Sequence, residues 1–243
     1  MDAATGSASR LSASGTPALA PKGRGRRASV EWWTGAAGIA AAAVFTIGWI
    51  IAGLLEPGYD WARQDISDLT AATAENPWVL RAAETVSGAL LLLFALGLYG
   101  AVGDRWSGRV GAALLAFFAA IQVAVGAYLH LDCSLADPAC RSAEHTTRHG
   151  LHEALSGVSF LALLIALFSL ARRFHRDLSW RPLGKVSIVA AVATVAFLVL
   201  YMALQWESGG GIAQRLAITT IFGWIAVMGC RLASRPAAAE SQP

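Results

Sequence analysis

Of 243 residues, 56% are hydrophobic and only 14% are charged, which excludes an ordinary soluble domain and makes the bilayer the expected solvent. The formal net charge of +3 does not point to nucleic acid, because its basic residues fall on chain ends and alternate loops rather than on one binding face.

In chain order, residues 1–30 are rich in Ala, Ser, Gly and Pro and carry PKGRGRR. They read as a disordered basic cytoplasmic tail that fixes orientation. Each basic residue held near anionic lipid would add about 1 kcal/mol of attraction. The first apolar run starts beyond residue 30 and is long enough to span, so it is not a signal peptide. Six such runs follow: Trp33–Leu55, Arg81–Val102, Val110–Leu131, His149–Leu170, Lys185–Gln205 and Gln214–Leu232. They lack the period-two alternation of barrel strands. The expected fold is therefore all-α, a bundle of six transmembrane helices over residues 31–233, because only internally satisfied backbone survives in lipid. Residues 234–243 read as a second disordered cytoplasmic tail. Nothing in the sequence sets an oligomeric state.

Small residues crowd GAAGIAAAAVFTIG in the first run and GAALLAFFAAIQVAVGA in the third, as close helix packing in lipid requires. Trp32, Trp33, Trp61, Trp78, Trp106, Trp180 and Trp206 fall near span ends and fit an interfacial aromatic belt. The tails and the loops near 103–109 and 171–185 hold 14 of the 19 basic residues. The positive-inside rule places these segments, and so both termini, in the cytoplasm of a multi-pass cell-membrane protein. Eleven of the 16 acidic residues lean to the other side, creating a negative outer vestibule.

That outer side carries the chemistry. The first outer loop, EPGYDWARQDISDLTAATAENPW, is longer than a connector needs to be. Its segment RQDISDLTA packs Asp65, Ser67 and Asp68 together and reads as a short amphipathic helix at the interface. The stretch YLHLDCSLADPACRSAEHTTRHGLHE, residues 128–153, holds four of the five histidines and two of the three cysteines. His130 and Asp132 are two apart and converge only if the third helix unwinds there. His149, His152 and Glu153 share one face of the next helix, whereas His145 reads as a solvated loop residue. Asp-Pro between Cys133 and Cys140 favours a closing turn, and an outer compartment permits their disulfide. Cys230 reads as a free, buried thiol.

Ionisable groups at membrane depth are functional candidates by default. The expected pocket comprises Asp65, Ser67, Asp68, His130, Asp132, His149, His152 and Glu153. His130, His149 and His152 are candidate ligands for a divalent metal such as zinc, with Asp68 or Glu153 as base; a proton relay suits the same residues. Arg81 with Glu84, and Arg215 near Glu207, read as Arg–Glu pairing, and Gln122 as an interhelical hydrogen-bonding group. There is no HExxH, nucleophile elbow, phosphate loop or dinucleotide fingerprint.

The combination of GWIIAGLLEP, QDISDLTA, NPW, YLHLDC, a histidine-bearing fourth span and GW in the last resembles the bacterial and archaeal domain of unknown function 998 family over about residues 35–232. The resemblance implies a six-span membrane protein and overlaps Ser67, Asp68, Asp132 and a histidine near His149 or His152. It implies no activity. A looser similarity is to alkaline ceramidase-like hydrolases, seven-span proteins with a zinc site. This chain has six apolar runs and lacks their paired histidines in the last helix. The expected function is binding or transport of a cation, small solute or lipid head group at the outer face. The alternatives are a metal-dependent membrane hydrolase and an accessory protein without chemistry.

Overall fold

Long apolar runs satisfy their backbone as helices, and proline in the first turn fixes where two of them start, at Pro77 and at Arg181–Pro182. The structure, a computed structural model, describes residues 23–205 and 208–235. It contains α1 (Gly23–Leu55), α2 (Pro77–Val102), α3 (Trp106–Ala127), a one-turn α4 (Pro138–Arg141), α5 (Thr147–Phe174), α6 (Arg181–Leu204) and α7 (Gly210–Ala233), with no strand among the described residues. The six long helices are each long and apolar enough to cross a membrane.

Each long helix packs on its chain neighbours, and α7 returns onto α1, so the six close into a ring. Glycines set the spacing. A Cβ on Gly88 of α2 would lie 2.8 Å from the Val123 backbone nitrogen, and one on Gly126 of α3 would lie 2.7 Å from the Arg81 carbonyl oxygen. Helices α2 and α3 thus meet backbone to backbone, where dispersion replaces the missing hydrophobic force. The seam between α5 and α6 is the thinnest in the ring.

The long helices alternate direction. The turn after α1, the turn before α2 and the segment between α3 and α5 therefore meet at one end, called here the disulfide end. At the opposite end, buried Arg173 donates to Asp104 at 2.8 Å and to Asp177 at 3.0 Å, so its charge is fully paired.

The element ends differ from expectation in physically simple ways. Helix α1 begins at Gly23, within the segment expected to be tail. The remaining tail segments, residues 1–22 and 236–243, lie outside the described residues, as do Trp206 and Glu207. Helix α3 stops at Ala127 rather than Leu131, because the Leu131 carbonyl is used by Ala72 N–H at 2.9 Å. RQDISDLTA is not an amphipathic interfacial helix. It forms one 3-10 turn, Ser67–Thr70, with Ile66, Leu69, Thr70 and Ala71 buried, and plugs the end of the ring. Among the tryptophans, Trp32, Trp33, Trp78 and Trp106 are exposed as a belt requires, but Trp180 is buried and stacked 5.1 Å from Phe174. Cys230 is free but exposed, not buried.

Candidate functional site

The plug is held from three sides. Arg215 of α7 donates Nη1 to the carbonyls of Trp61 and Gln64, both at 2.9 Å, and Nη2 to the Tyr59 hydroxyl. Its guanidinium lies 5.3–5.6 Å from the rings of Trp49, Tyr59 and Trp61. Carbonyls and aromatic faces thus solvate this cation, and among the described residues it forms no Arg–Glu pair. Gln214 Oε1 accepts from Ile66 N–H at 2.7 Å. Asp68 accepts from Asp65 N–H at 2.9 Å and from Leu135 N–H at 3.0 Å, tying the plug to the disulfide segment.

Asp132 fastens that segment to α5. Its carboxylate accepts from Thr146 N–H at 2.7 Å and the Thr146 hydroxyl at 2.9 Å, and Arg148 lies at 3.1 Å. The Thr146 hydroxyl in turn caps α5 through His149 N–H. These hydrogen bonds, led by the Thr146 amide, hold the Asp132 carboxyl down to about 2. Cys133 and Cys140 are bonded, with Cα atoms 5.8 Å apart.

Beneath the plug, all six long helices line one cavity of about 520 Å³. Most of its polar residues gather at the disulfide end, Asp65 and Ser67 from the plug with Glu84, Gln122, His152, Glu153, Tyr201 and Gln214, while Ser156 and Ser159 follow further along α5. At 1.5 Å per residue, Glu84 and His152 lie within about 10 Å of their helix starts. Deeper walls are apolar, with Phe118, Phe160, Leu164 and Leu198, and a stacked Phe45–Phe222 pair at 4.3 Å. The cavity reaches the outer surface of the ring between α5 and α6. Leu161 and Met202 both line it, yet they are 60% and 61% exposed. Gly157 sits between Glu153 and Leu161 on this edge of α5, with open space where a side chain would be.

Asp65 closes the polar end. It accepts from the Tyr201 hydroxyl at 2.6 Å, and its carbonyl accepts from Tyr59 at 2.7 Å. Burial, reinforced by neighbouring Asp68, pushes its carboxyl up to about 7 against the opposing pull of Tyr201 and Arg215. Burial also raises Asp68, opposed by its two backbone N–H donors. Glu84 is 7% exposed, and its Oε2 has no hydrogen-bond partner; Arg81, its expected partner, donates instead to the Thr70 carbonyl at 2.7 and 2.9 Å.

The family described as "Protein of unknown function (DUF998)" matches residues 39–231, most of the chain. The chain belongs to that family. No curated protein and no solved structure matches it.

In this DUF998 protein, four of the eight residues expected in the pocket line the cavity: Asp65, Ser67, His152 and Glu153. Asp68 and Asp132 brace the segments above it. His130 lies in the unwound chain after α3, where burial, then Arg81 and Arg148, disfavour its charged form. His145 is not a free loop residue: it stacks 3.8 Å from His149, and its Nε2 donates to the Cys140 carbonyl at 2.8 Å.

The proposed ligand triad His130, His149 and His152 does not converge. Among the described residues, the His/Glu group whose ligand atoms lie within 4.8 Å of one another is His145, His149 and Glu153. His149 fits a metal poorly there. Its Nδ1 accepts from Asp132 N–H at 3.1 Å, so the neutral ring carries its proton on Nε2, facing Glu153 at 3.8 Å. A metal-bound imidazole instead donates from its second nitrogen. His152 has the opposite polarity: Nδ1 donates to the Leu129 carbonyl at 2.6 Å, leaving the Nε2 lone pair free. Sequence reasoning missed Tyr201, which reads as an ordinary span end, and noted Gln214 only as a polar group opening the last span beside Arg215. It noticed both Glu84, whose expected pairing with Arg81 does not form, and Gln122, whose expected interhelical hydrogen bond does form, to Ser87; an acid inside a span was itself the signal.

Proposed function

We propose that this protein binds a membrane amphiphile in the central cavity, with the head group under the Asp65 plug and the chain among Phe45, Phe118, Phe160 and Phe222. The observation that carries this reading is the cavity's opening. It emerges between two helices at exposed apolar residues, Leu161 and Met202, where a bilayer supplies lipid rather than water. The polar-to-apolar gradient along the cavity matches an amphiphile rather than a small hydrophilic solute.

The bilayer is thus both solvent and source of ligand. The basic N-terminal tail adds attraction to anionic lipid, both termini are cytoplasmic, and the plug faces outward across the cell membrane. The charge asymmetry of the loops and the Cys133–Cys140 bond support that orientation. A second reading, an enzyme acting on the same amphiphile, is favoured by the free Nε2 lone pair of His152 as a general base.

Native mass spectrometry of protein extracted in mild detergent tests the binding reading. The wild type is expected to retain about one lipid-sized adduct, and Gly157→Trp, which fills the opening, to lose it. Equal adducts on both proteins would remove the basis for the proposal.

A further inference from the structure

We infer that the head group taken by this cavity is a long-chain ammonium, bound by Glu84 Oε2 and Gln122 Oε1. The inference rests on the amphiphile reading and adds the ligand's chemical class.

The first argument is the cavity's charge inventory. Three acidic side chains line it, Asp65, Glu84 and Glu153, with Asp65 partly protonated near neutral pH, and no Lys or Arg does. Of the cations around the plug, Arg63 is exposed and does not line the cavity, while Arg81 is committed to the Thr70 carbonyl, Arg148 to Asp132, and Arg215 to the carbonyls of Trp61 and Gln64. A phosphate or carboxylate head group would meet carboxylates without a compensating cation.

The second argument is atomic. Ser87 Oγ donates its proton to the Ala41 carbonyl at 2.9 Å, so toward Gln122 it can only accept. Gln122 therefore presents Nε2 to Ser87, at 3.2 Å, and its orientation is fixed. Its Oε1 is left without a partner, in a side chain 8% exposed on the cavity wall. Glu84, one turn before Ser87 on α2, supplies the second unpartnered acceptor, Oε2. Two buried acceptors on the neighbouring helices α2 and α3, one of them a carboxylate, are costly unless a donor reaches them. An ammonium offers three donors, no acceptor and the opposite charge. A hydroxyl offers one donor and no charge.

The test uses the full chain in nanodiscs, titrated with dodecylamine, dodecanol, dodecyl phosphate and butylamine, with affinity read from thermal-shift saturation. Dodecylamine is expected to bind about 30-fold or more tighter than the alcohol and the phosphate, the factor typical of a buried charge pair. Glu84→Gln should lose that preference for the amine over the alcohol. Its ligand-free Tm should equal or exceed that of wild type, because an unpaired buried acid has been removed, so a folding defect would be visible as such. Amine no better than alcohol, or a preference that survives in Glu84→Gln, would overturn the ammonium assignment while leaving the cavity reading intact. Butylamine binding as tightly as dodecylamine would show a small amine rather than a lipid as the source, overturning the long-chain part. Saturation by none of the dodecyl probes, or equal saturation in Gly157→Trp, would overturn the cavity reading itself.

Discussion

Two aspartates at the disulfide end respond to pH in opposite directions. Asp132, held at about 2 against an ordinary 3.8, contributes stability above pH 4 that is lost as pH falls through 4 to 2. Asp132→Asn removes the charge-assisted acceptor for Thr146 and Arg148, and should cost about 2 kcal/mol near neutral pH. Tm measured from pH 7 to pH 3 checks this: the wild type drops toward the mutant at the acid end. Asp65, pushed to about 7, holds a proton in the folded protein that the unfolded chain has released above pH 4. Stability from this group is therefore present at low pH and declines as pH rises from about 4 to 7. Asp65→Asn should flatten that decline by about 1 kcal/mol, a Tm difference of about 2–4 °C at this chain length. An unchanged slope in the mutant would show that Asp65 is solvated. The sequence made both aspartates candidates but could not separate them. Asp132 binds the Thr146 amide and Asp65 lies against Tyr201, and both partners are assigned only by the folded chain. His149 shows the same limit, since its tautomer is set by the backbone N–H of Asp132.

At the scale of helices, composition specified the spans well, because about 20 apolar residues have few alternatives to a membrane helix. It specified their ends poorly, because Leu129 and Leu131 are as apolar as the helix before them. What separates them is backbone pairing with the first loop and with His152. Nor did it reveal the ring order, which depends on where bare glycine backbone meets a neighbouring helix. That contact yields a paired prediction. Gly88→Val drives a side chain into the Val123 amide and the Ala119 carbonyl, backbone atoms that cannot rotate away. It should cost about 1–3 kcal/mol, as overpacking generally does. Gly157→Val meets open space and should leave Tm within about 1 °C of wild type. Parallel thermal melts in one detergent check the pair. Equal losses in the two variants would mean that α5 and α6 close over Gly157.

For the whole molecule, two independent asymmetries concern the same end. The tails and the loops away from the disulfide end together hold 14 of the 19 basic residues, a bias that orients membrane proteins during insertion. The disulfide end holds Cys133–Cys140, a bond that persists in oxidising compartments. Insertion and redox chemistry are unrelated mechanisms, so their agreement favours one orientation, with plug and polar cavity end facing outward. Single cysteines on a Cys230→Ala background test it: Thr73→Cys in the first loop and Leu178→Cys between α5 and α6, both exposed positions at opposite ends. A membrane-impermeant maleimide added to intact cells should label Thr73→Cys at once and Leu178→Cys only after permeabilisation. The reverse pattern would put the disulfide in the reducing cytoplasm and the basic loops outside. The cavity would then take amphiphiles with head groups at the inner leaflet, and the bond between Cys133 and Cys140 would have to be a reversible one.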